Sequence, residues 1–221
     1  MIDESLTCRP GRPKDCVKRE EIVAAATQLF MDNRYELTSM EAVARQAGVS
    51  KLTIYNHFDD KRELFRAIVQ HRCDKLGMPE TFLPETQLSV ESALLKISRN
   101  ALTNIFRPDS LRLIRVIQAE ALHRPEIVRI YYEVGPRRIK TAFADLLRAF
   151  DAQGQASIPD PVRASEQFFS LLKGELLQRT LMFLAPAPGA EELEAHAQAT
   201  VAFFLAAYRP STAPTAKTET P

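Results

Sequence analysis

The fold class predicted is all-α, with a small N-terminal helical unit followed by a larger helical domain. Three observations predict it. Glycine is scarce, at 7 of 221 residues. Ala, Leu, Glu, Arg and Gln set the texture of the chain, and these residues favour helix by intrinsic propensity. Apolar positions recur at helical spacing over long segments instead of alternating as in strands. The length is enough to bury a substantial apolar core.

The elements follow in order. Residues 1–15 are polar and punctuated by proline, and between Arg9 and Arg19 five basic residues (Arg9, Arg12, Lys14, Lys18, Arg19) stand against Asp15 alone, a local balance of +4. A flexible basic arm is expected there. Asp15 is suited to cap a first helix, in which Ile22, Val23, Ala26, Leu29 and Phe30 form one stripe ending near Asn33. Thr38 with Glu41 three residues later reads as a capping box opening a short second helix, with Met40, Val43 and Ala44 facing inward. Gly48 ends that helix, because a left-handed residue costs glycine least, and Ser50 caps a third at once. Asp60 with Glu63 repeats the box and opens a fourth helix through Leu64, Phe65, Ile68 and Val69. These elements bound a domain at 16–76. Prolines interrupt the pattern at 78–84. A second domain, 77–208, is expected to hold helices near 88–106, 109–123, 125–150, 161–184 and 190–208, the third kinked at Gly135-Pro136. Residues 209–221 lack the apolar content for a fold, and a disordered tail is expected.

Composition excludes several function classes. A net charge of +1 does not mark the whole chain as a nucleic-acid binder, so only the basic arm carries that signal. No nucleophile elbow, phosphate loop, metal-binding helix or carboxylate pair is found, so no enzyme, metal or cofactor is expected. His71, Cys73 and Asp74 come nearest to a metal cluster, but helix positions two apart do not share a face. Cys8, Cys16 and Cys73 are odd in number and lack metal or redox spacing, which suits reduced thiols in a cytoplasmic protein. No signal peptide or apolar run of membrane length is present, so no membrane partner is expected.

The segment 38–58 has the anatomy of a helix-turn-helix: a helix, a glycine-containing turn, and a second helix suited to the major groove of DNA. On that second helix Lys51, Thr53, Asn56 and His57 are polar and outward, whereas Ile54 and Phe58, at i and i+4, look inward. DNA recognition needs this split, since base edges are read by donors and acceptors while the helix is held rigidly from behind.

At these residues the sequence "TSMEAVARQAGVSKLTIYNHFDDKRELF" resembles the DNA-binding signature of the TetR family of bacterial regulators. The resemblance spans residues 21–69. Thr38, Ala44, Ala47, Gly48, Val49, Ser50, Tyr55, Phe58, Lys61 and Leu64 all fit the pattern, and Leu52 departs from it where many relatives carry Gly or Ala. It implies that Thr38, Tyr55, His57 and Lys61 approach phosphates while Lys51, Leu52 and Thr53 face base edges. Ser39, Ser50 and Asn56 complete the expected DNA-binding set on these two helices. Tyr55 also fits a packing aromatic with a surface hydroxyl, and His57 a surface histidine without a role. Upstream, "RPGRPK" at 9–14 is similar to the core of an AT-hook, in which Arg12 would enter a narrow minor groove; a basic tail adding only nonspecific affinity is the competing reading.

The same resemblance implies a C-terminal helical domain that binds a ligand and forms a homodimer, and "ASEQFFSLLKGELLQRTLMF" with "IRVIQAEALHRPEIVRIYYEVG" is similar to the AefR-like subgroup. Phe106, Ile117, Phe143, Phe169, Leu172 and Leu176, with Gln118, Tyr132 and Gln178 as polar contacts, are the expected pocket residues for a small hydrophobic or aromatic inducer, and ordinary core explains the apolar ones equally well. A dimer doubles the short site that one recognition helix reads. The expected function is a repressor released from a pseudo-palindromic double-stranded operator by that inducer; the alternative is an architectural DNA-binding protein indifferent to ligand.

Overall fold

Four helices begin on proline, whose fixed φ suits a first turn and whose missing N–H is one that turn leaves unbonded anyway. The computed structural model describes residues 13–75 and 89–209. Among them are ten α-helices and no strand: α1 (Pro13–Leu37), α2 (Met40–Gln46), α3 (Lys51–His57), α4 (Lys61–Lys75), α5 (Val90–Ile105), α6 (Pro108–Glu120), α7 (Pro125–Tyr132), α8 (Arg138–Ala152), α9 (Pro161–Leu181) and α10 (Ala190–Ala207). The expected connection at 78–84 and tail at 209–221 lie outside the described residues, apart from Arg209.

Gly135 and Pro136 fall in a π-helical turn, Glu133–Arg137, that joins α7 to α8. A proline cannot donate to the ladder, and the wider turn accommodates that gap without ending the helix.

The chain divides into two packing units, and the division does not follow sequence order. Helices α1 to α4 share a unit with Arg107–Ile139, and 89–106 with the residues from Lys140 onward form the other. The reason is the core of the first unit: Ile22, Val23 and Phe30 of α1, Ile54 and Phe58 around α3, and Leu64, Phe65 and Ile68 of α4 are buried together with Leu113 and Ile117 of α6 and Ile127 and Ile130 of α7. Hydrophobic burial, not position along the chain, assigns 107–139 to this unit.

Two expectations are corrected here. The first helix begins at Pro13 and runs to Leu37, beyond Asn33. Its extra turn is held because Tyr35 is buried, stacked on Phe30 (ring centroids 5.3 Å) and edge-on to Phe65 (5.6 Å). The cap of α2 is Ser39, not Thr38: Ser39 Oγ accepts the Ala42 N–H at 3.1 Å, while Thr38 is buried and its hydroxyl donates to the Leu29 carbonyl at 3.2 Å.

Burial, and then the Asp60 carboxylate, pushes the Tyr35 phenol from its ordinary 10 up to about 12. In the unfolded chain this phenol ionises from about pH 10, so its contribution to stability is complete below that pH and is lost as pH rises toward 12. The urea midpoint is expected to fall less steeply over this window in Tyr35→Phe than in the parent chain; equal slopes reject the assignment.

In the second unit Leu94, Ile97 and Leu102 of α5, Phe143 and Leu147 of α8, Phe168, Phe169 and Leu172 of α9, and Val201 and Phe204 of α10 are buried. Phe168 is the hub of the aromatic packing, 4.6 Å from Phe143 and 5.1 Å from Phe204 between ring centroids. Helix α9 is broken within its span at Gly174, whose φ of 39° and ψ of −149° only glycine adopts cheaply. The break disturbs the ladder beside it, and His196 Nε2 of α10 stands 3.1 Å from the Leu172 carbonyl.

Candidate nucleic-acid interface

The turn between α2 and α3 is built from backbone geometry first. Gly48 has φ +65°, and the Val49 N–H reaches back to the Ala44 carbonyl (3.0 Å) while the Gly48 N–H reaches Arg45 (3.3 Å). These two bonds close α2 in the glycine-ended motif that reverses a chain sharply. Ser50 then opens α3, its Oγ accepting the Thr53 N–H at 3.1 Å and lying 2.8 Å from the Thr53 hydroxyl.

The two faces of α3 separate as its sequence implies. Ile54 and the capping Phe58 are fully buried. Lys51, Leu52, Tyr55 and Asn56 are exposed, Leu52 at 71% and Tyr55 at 41%. Thr53 and His57 are half-buried. The Lys51 ammonium pairs with the Glu41 carboxylate of α2 and lies 5.8 Å from the Tyr55 ring centroid. This hydrogen bond raises the Lys51 pKa and lowers that of Glu41. Because both side chains are exposed, the pair is weak and exchangeable for a base or phosphate contact.

Helix α4 begins where Asp60 Oδ1 accepts the N–H groups of Arg62 and Glu63, both at 2.8 Å, and Glu63 in turn accepts from the Asp59 N–H. Lys61, its first residue, does not extend freely: Nζ donates to the Glu36 carbonyl (3.2 Å) and sits 4.3 Å from the Tyr35 ring centroid. Burial, reinforced by Arg124, lowers its pKa.

Of the expected DNA-binding residues, Ser39, Ser50, Lys51, Leu52, Thr53, Tyr55, Asn56 and His57 are gathered on α2, the turn and α3. Thr38 is close in the chain but buried, and Arg12 with the 9–12 part of the arm lies outside the described residues. Pro13 and Lys14 of the arm belong to α1. Two further cations stand beside these helices: Arg19, counted above only in the basic stretch, lies 5.0 Å above the Phe58 ring, and Arg124, which sequence reasoning missed, pairs with Glu36. The helical register of Arg19 within α1 was available as a signal, whereas nothing local marks Arg124.

The expected ligand residues are divided. Ile117, Gln118 and Tyr132 belong to the first unit, where Ile117 is core and the other two are exposed. In the second unit Phe143 and Phe169 meet edge-on at 5.2 Å, Phe106 and Leu172 are buried, and Gln178 is exposed. Leu176 lines a cavity of about 160 Å³ with Arg179, Thr180, Pro186, Pro188 and Glu192 among its neighbours.

A capped helix-turn-helix whose second helix is anchored from behind and polar in front defines a DNA-binding transcriptional regulator. Comparison with known proteins specifies which. Residues 22–68 match the bacterial regulatory proteins of the tetR family, and residues 92–210, more than half of the chain, match the AefR-like transcriptional repressor C-terminal domain. A TetR-family regulator from Mesorhizobium loti MAFF303099 is similar in structure with a TM-score of 0.79 and 30% identity, covering 89% of this chain and 99% of that one. The flavonoid-responsive regulator FrrA is similar at 0.74 and 32%, covering 88% and 98%. Among curated proteins, the transcriptional activator FasR of Mycolicibacterium smegmatis is 39% identical over 64 residues, 29% of each chain. The chain belongs to the TetR family, whose members bind DNA and act as dimers. No helix among the described residues is long and apolar enough to cross a membrane.

Proposed function

We propose that this regulator is a homodimeric repressor that binds a pseudo-palindromic operator through α3 and leaves it when a small hydrophobic or aromatic molecule binds the C-terminal helices. The observation that carries the DNA half of this reading is the exposed face of α3. Lys51, Leu52 and Thr53 stand at its start, where a recognition helix meets base edges, and the large exposed Leu52 offers a methyl-rich contact suited to thymine. Ser39, Ser50, Tyr55, Asn56, His57 and Lys61 flank that face and take phosphates, contacts that set register and salt dependence.

Dimerisation is assigned to α9 and α10. Val162, Leu171, Phe203 and the residues just after α9, Met182, Phe183 and Leu184, leave large apolar side chains exposed, and facing apolar stripes of two helices from each copy pack as a four-helix bundle. Repression is supported by the match of residues 92–210 to a repressor C-terminal domain; the similarity to an activator is confined to 64 residues. An aromatic inducer is supported by the similarity to FrrA, a flavonoid-responsive regulator. The ligand shifts the regulator off DNA only by its differential affinity for the free and bound states.

The test is selection of genomic fragments by the full chain, footprinting of the best site at fixed salt, and titration with Thr53→Ala and Lys61→Ala. A protected pseudo-palindrome is expected. Thr53→Ala is expected to lose about 1 to 3 kcal/mol of discrimination between operator and random DNA. Lys61→Ala is expected to weaken both and flatten the salt slope. Binding indifferent to sequence rejects the operator reading in favour of an architectural protein.

A further inference from the structure

Five groups from distant parts of the chain meet at the C-terminal end of α1. Arg124, between α6 and α7, puts Nη2 2.6 Å from the Glu36 carboxylate. Its Nε lies 3.5 Å from the buried Glu120 Oε2, and this nitrogen is buried with no hydrogen-bond partner. Its guanidinium is 5.8 Å from the Tyr35 ring centroid, and Lys61 Nζ lies 4.3 Å from the same centroid. All these residues belong to one packing unit.

The bonding pattern is uneven in an informative way. Lys61 is bonded to the main-chain carbonyl of Glu36 and not to its carboxylate, although the carboxylate is near enough to act on the Lys61 charge. That carboxylate is engaged by Arg124. A guanidinium can face two carboxylates where an ammonium meets acceptors one at a time, so Arg124 pairs with Glu36 and lies beside Glu120, and Lys61 is left with the main-chain carbonyl of Glu36.

We infer that Arg124 is a positioning residue for DNA binding: by occupying the Glu36 carboxylate it leaves the Lys61 ammonium available to a DNA phosphate. The inference rests on the assignment of Lys61 to phosphate made above. Without Arg124 the freed carboxylate pairs with Lys61 and removes one cation from the interface in each subunit.

The experiment uses the full chain and a DNA duplex of random sequence, titrated over a range of salt, so that only phosphate contacts are read. Arg124→Gln is expected to weaken binding about three- to tenfold and to lower the salt slope by about 0.9 for each Lys61 that loses its phosphate. Glu36→Gln added to Arg124→Gln is expected to restore most of the affinity and slope, since the exposed carboxylate that pairs with Lys61 is gone and only the buried Glu120 remains; a loss of packing alone is not repaired this way. Arg124→Gln on a Lys61→Ala background is expected to have no further effect. If circular dichroism shows that Arg124→Gln does not fold, Arg124→Lys takes its place. It keeps a charge beside buried Glu120 but cannot fork to Glu36, and the same rescue by Glu36→Gln is expected. Lys61→Ala without effect overturns the phosphate assignment itself. A weakened Lys61→Ala beside an unchanged Arg124→Gln, or a weakened Arg124→Gln that Glu36→Gln does not rescue, overturns the inference.

Discussion

Phe65→Ala is expected to lower the unfolding free energy by about 3 to 5 kcal/mol, read as a shift of the urea midpoint followed by circular dichroism. Phe65 is buried at 1% exposure in α4, and its ring stands edge-on to both Phe30 (5.8 Å) and Tyr35 (5.6 Å). Truncation removes the transfer free energy of a whole ring, leaves a cavity against α1, and forfeits two favourable ring geometries worth about 0.5 to 1.5 kcal/mol each within that total. A domain is stable by only about 5 to 15 kcal/mol, so the loss is a large share. Operator binding is expected to fall with it, because Ile54 and Phe58 hold α3 in the same core. A shift below about 1 kcal/mol would show that α4 does not support the recognition helix as described.

Phe203→Glu is the second large effect, and it separates assembly from folding. Phe203 is 64% exposed on α10 while its neighbour Phe204 is buried, so a charge at 203 leaves the packing of its own unit intact. In a two-fold interface the same residue faces its counterpart region in the other copy, and two carboxylates desolvated there cost several kcal/mol. Sedimentation is expected to show a monomer where the parent chain is a dimer, with an unchanged melting curve at low concentration. Operator affinity is expected to drop about a hundredfold or more, since about 2.8 kcal/mol of coupling between half-sites accounts for that factor. A Phe203→Glu protein that remains dimeric moves the interface away from α10.

The contrast between these variants shows what kinds of information a linear chain carries. Gly48, Ser50, Ile54 and Phe58 are legible because each is a local statement. A left-handed turn, a cap three residues before its donor, and an i, i+4 apolar pair are all settled within a few residues. The choice between Thr38 and Ser39 as the cap of α2 was not legible, since each hydroxyl has a suitable partner three residues on. Burial of Thr38 against the Leu29 carbonyl, nine residues away, decides it. The length of α1 was hidden for the same reason, because Tyr35 is held by Phe65 of α4. The expected pocket residues were chosen as apolar positions on amphipathic helices, a property that core and cavity lining share; Ile117, Phe143 and Phe169 are all buried, and packing divides them between two units.

By itself, then, the sequence determined the all-helical class, most helix starts, the helix-turn-helix and the inward and outward faces of α3, because propensity, caps and periodicity act over one or two turns. Tertiary structure alone decided that Arg107–Ile139 joins the packing unit of the N-terminal helices, and that Arg124 meets Glu36 and Lys61. Burial of apolar surface is indifferent to distance along the chain, so helices far apart in sequence share a core whenever their stripes fit, and charges carried on their ends are brought together with them.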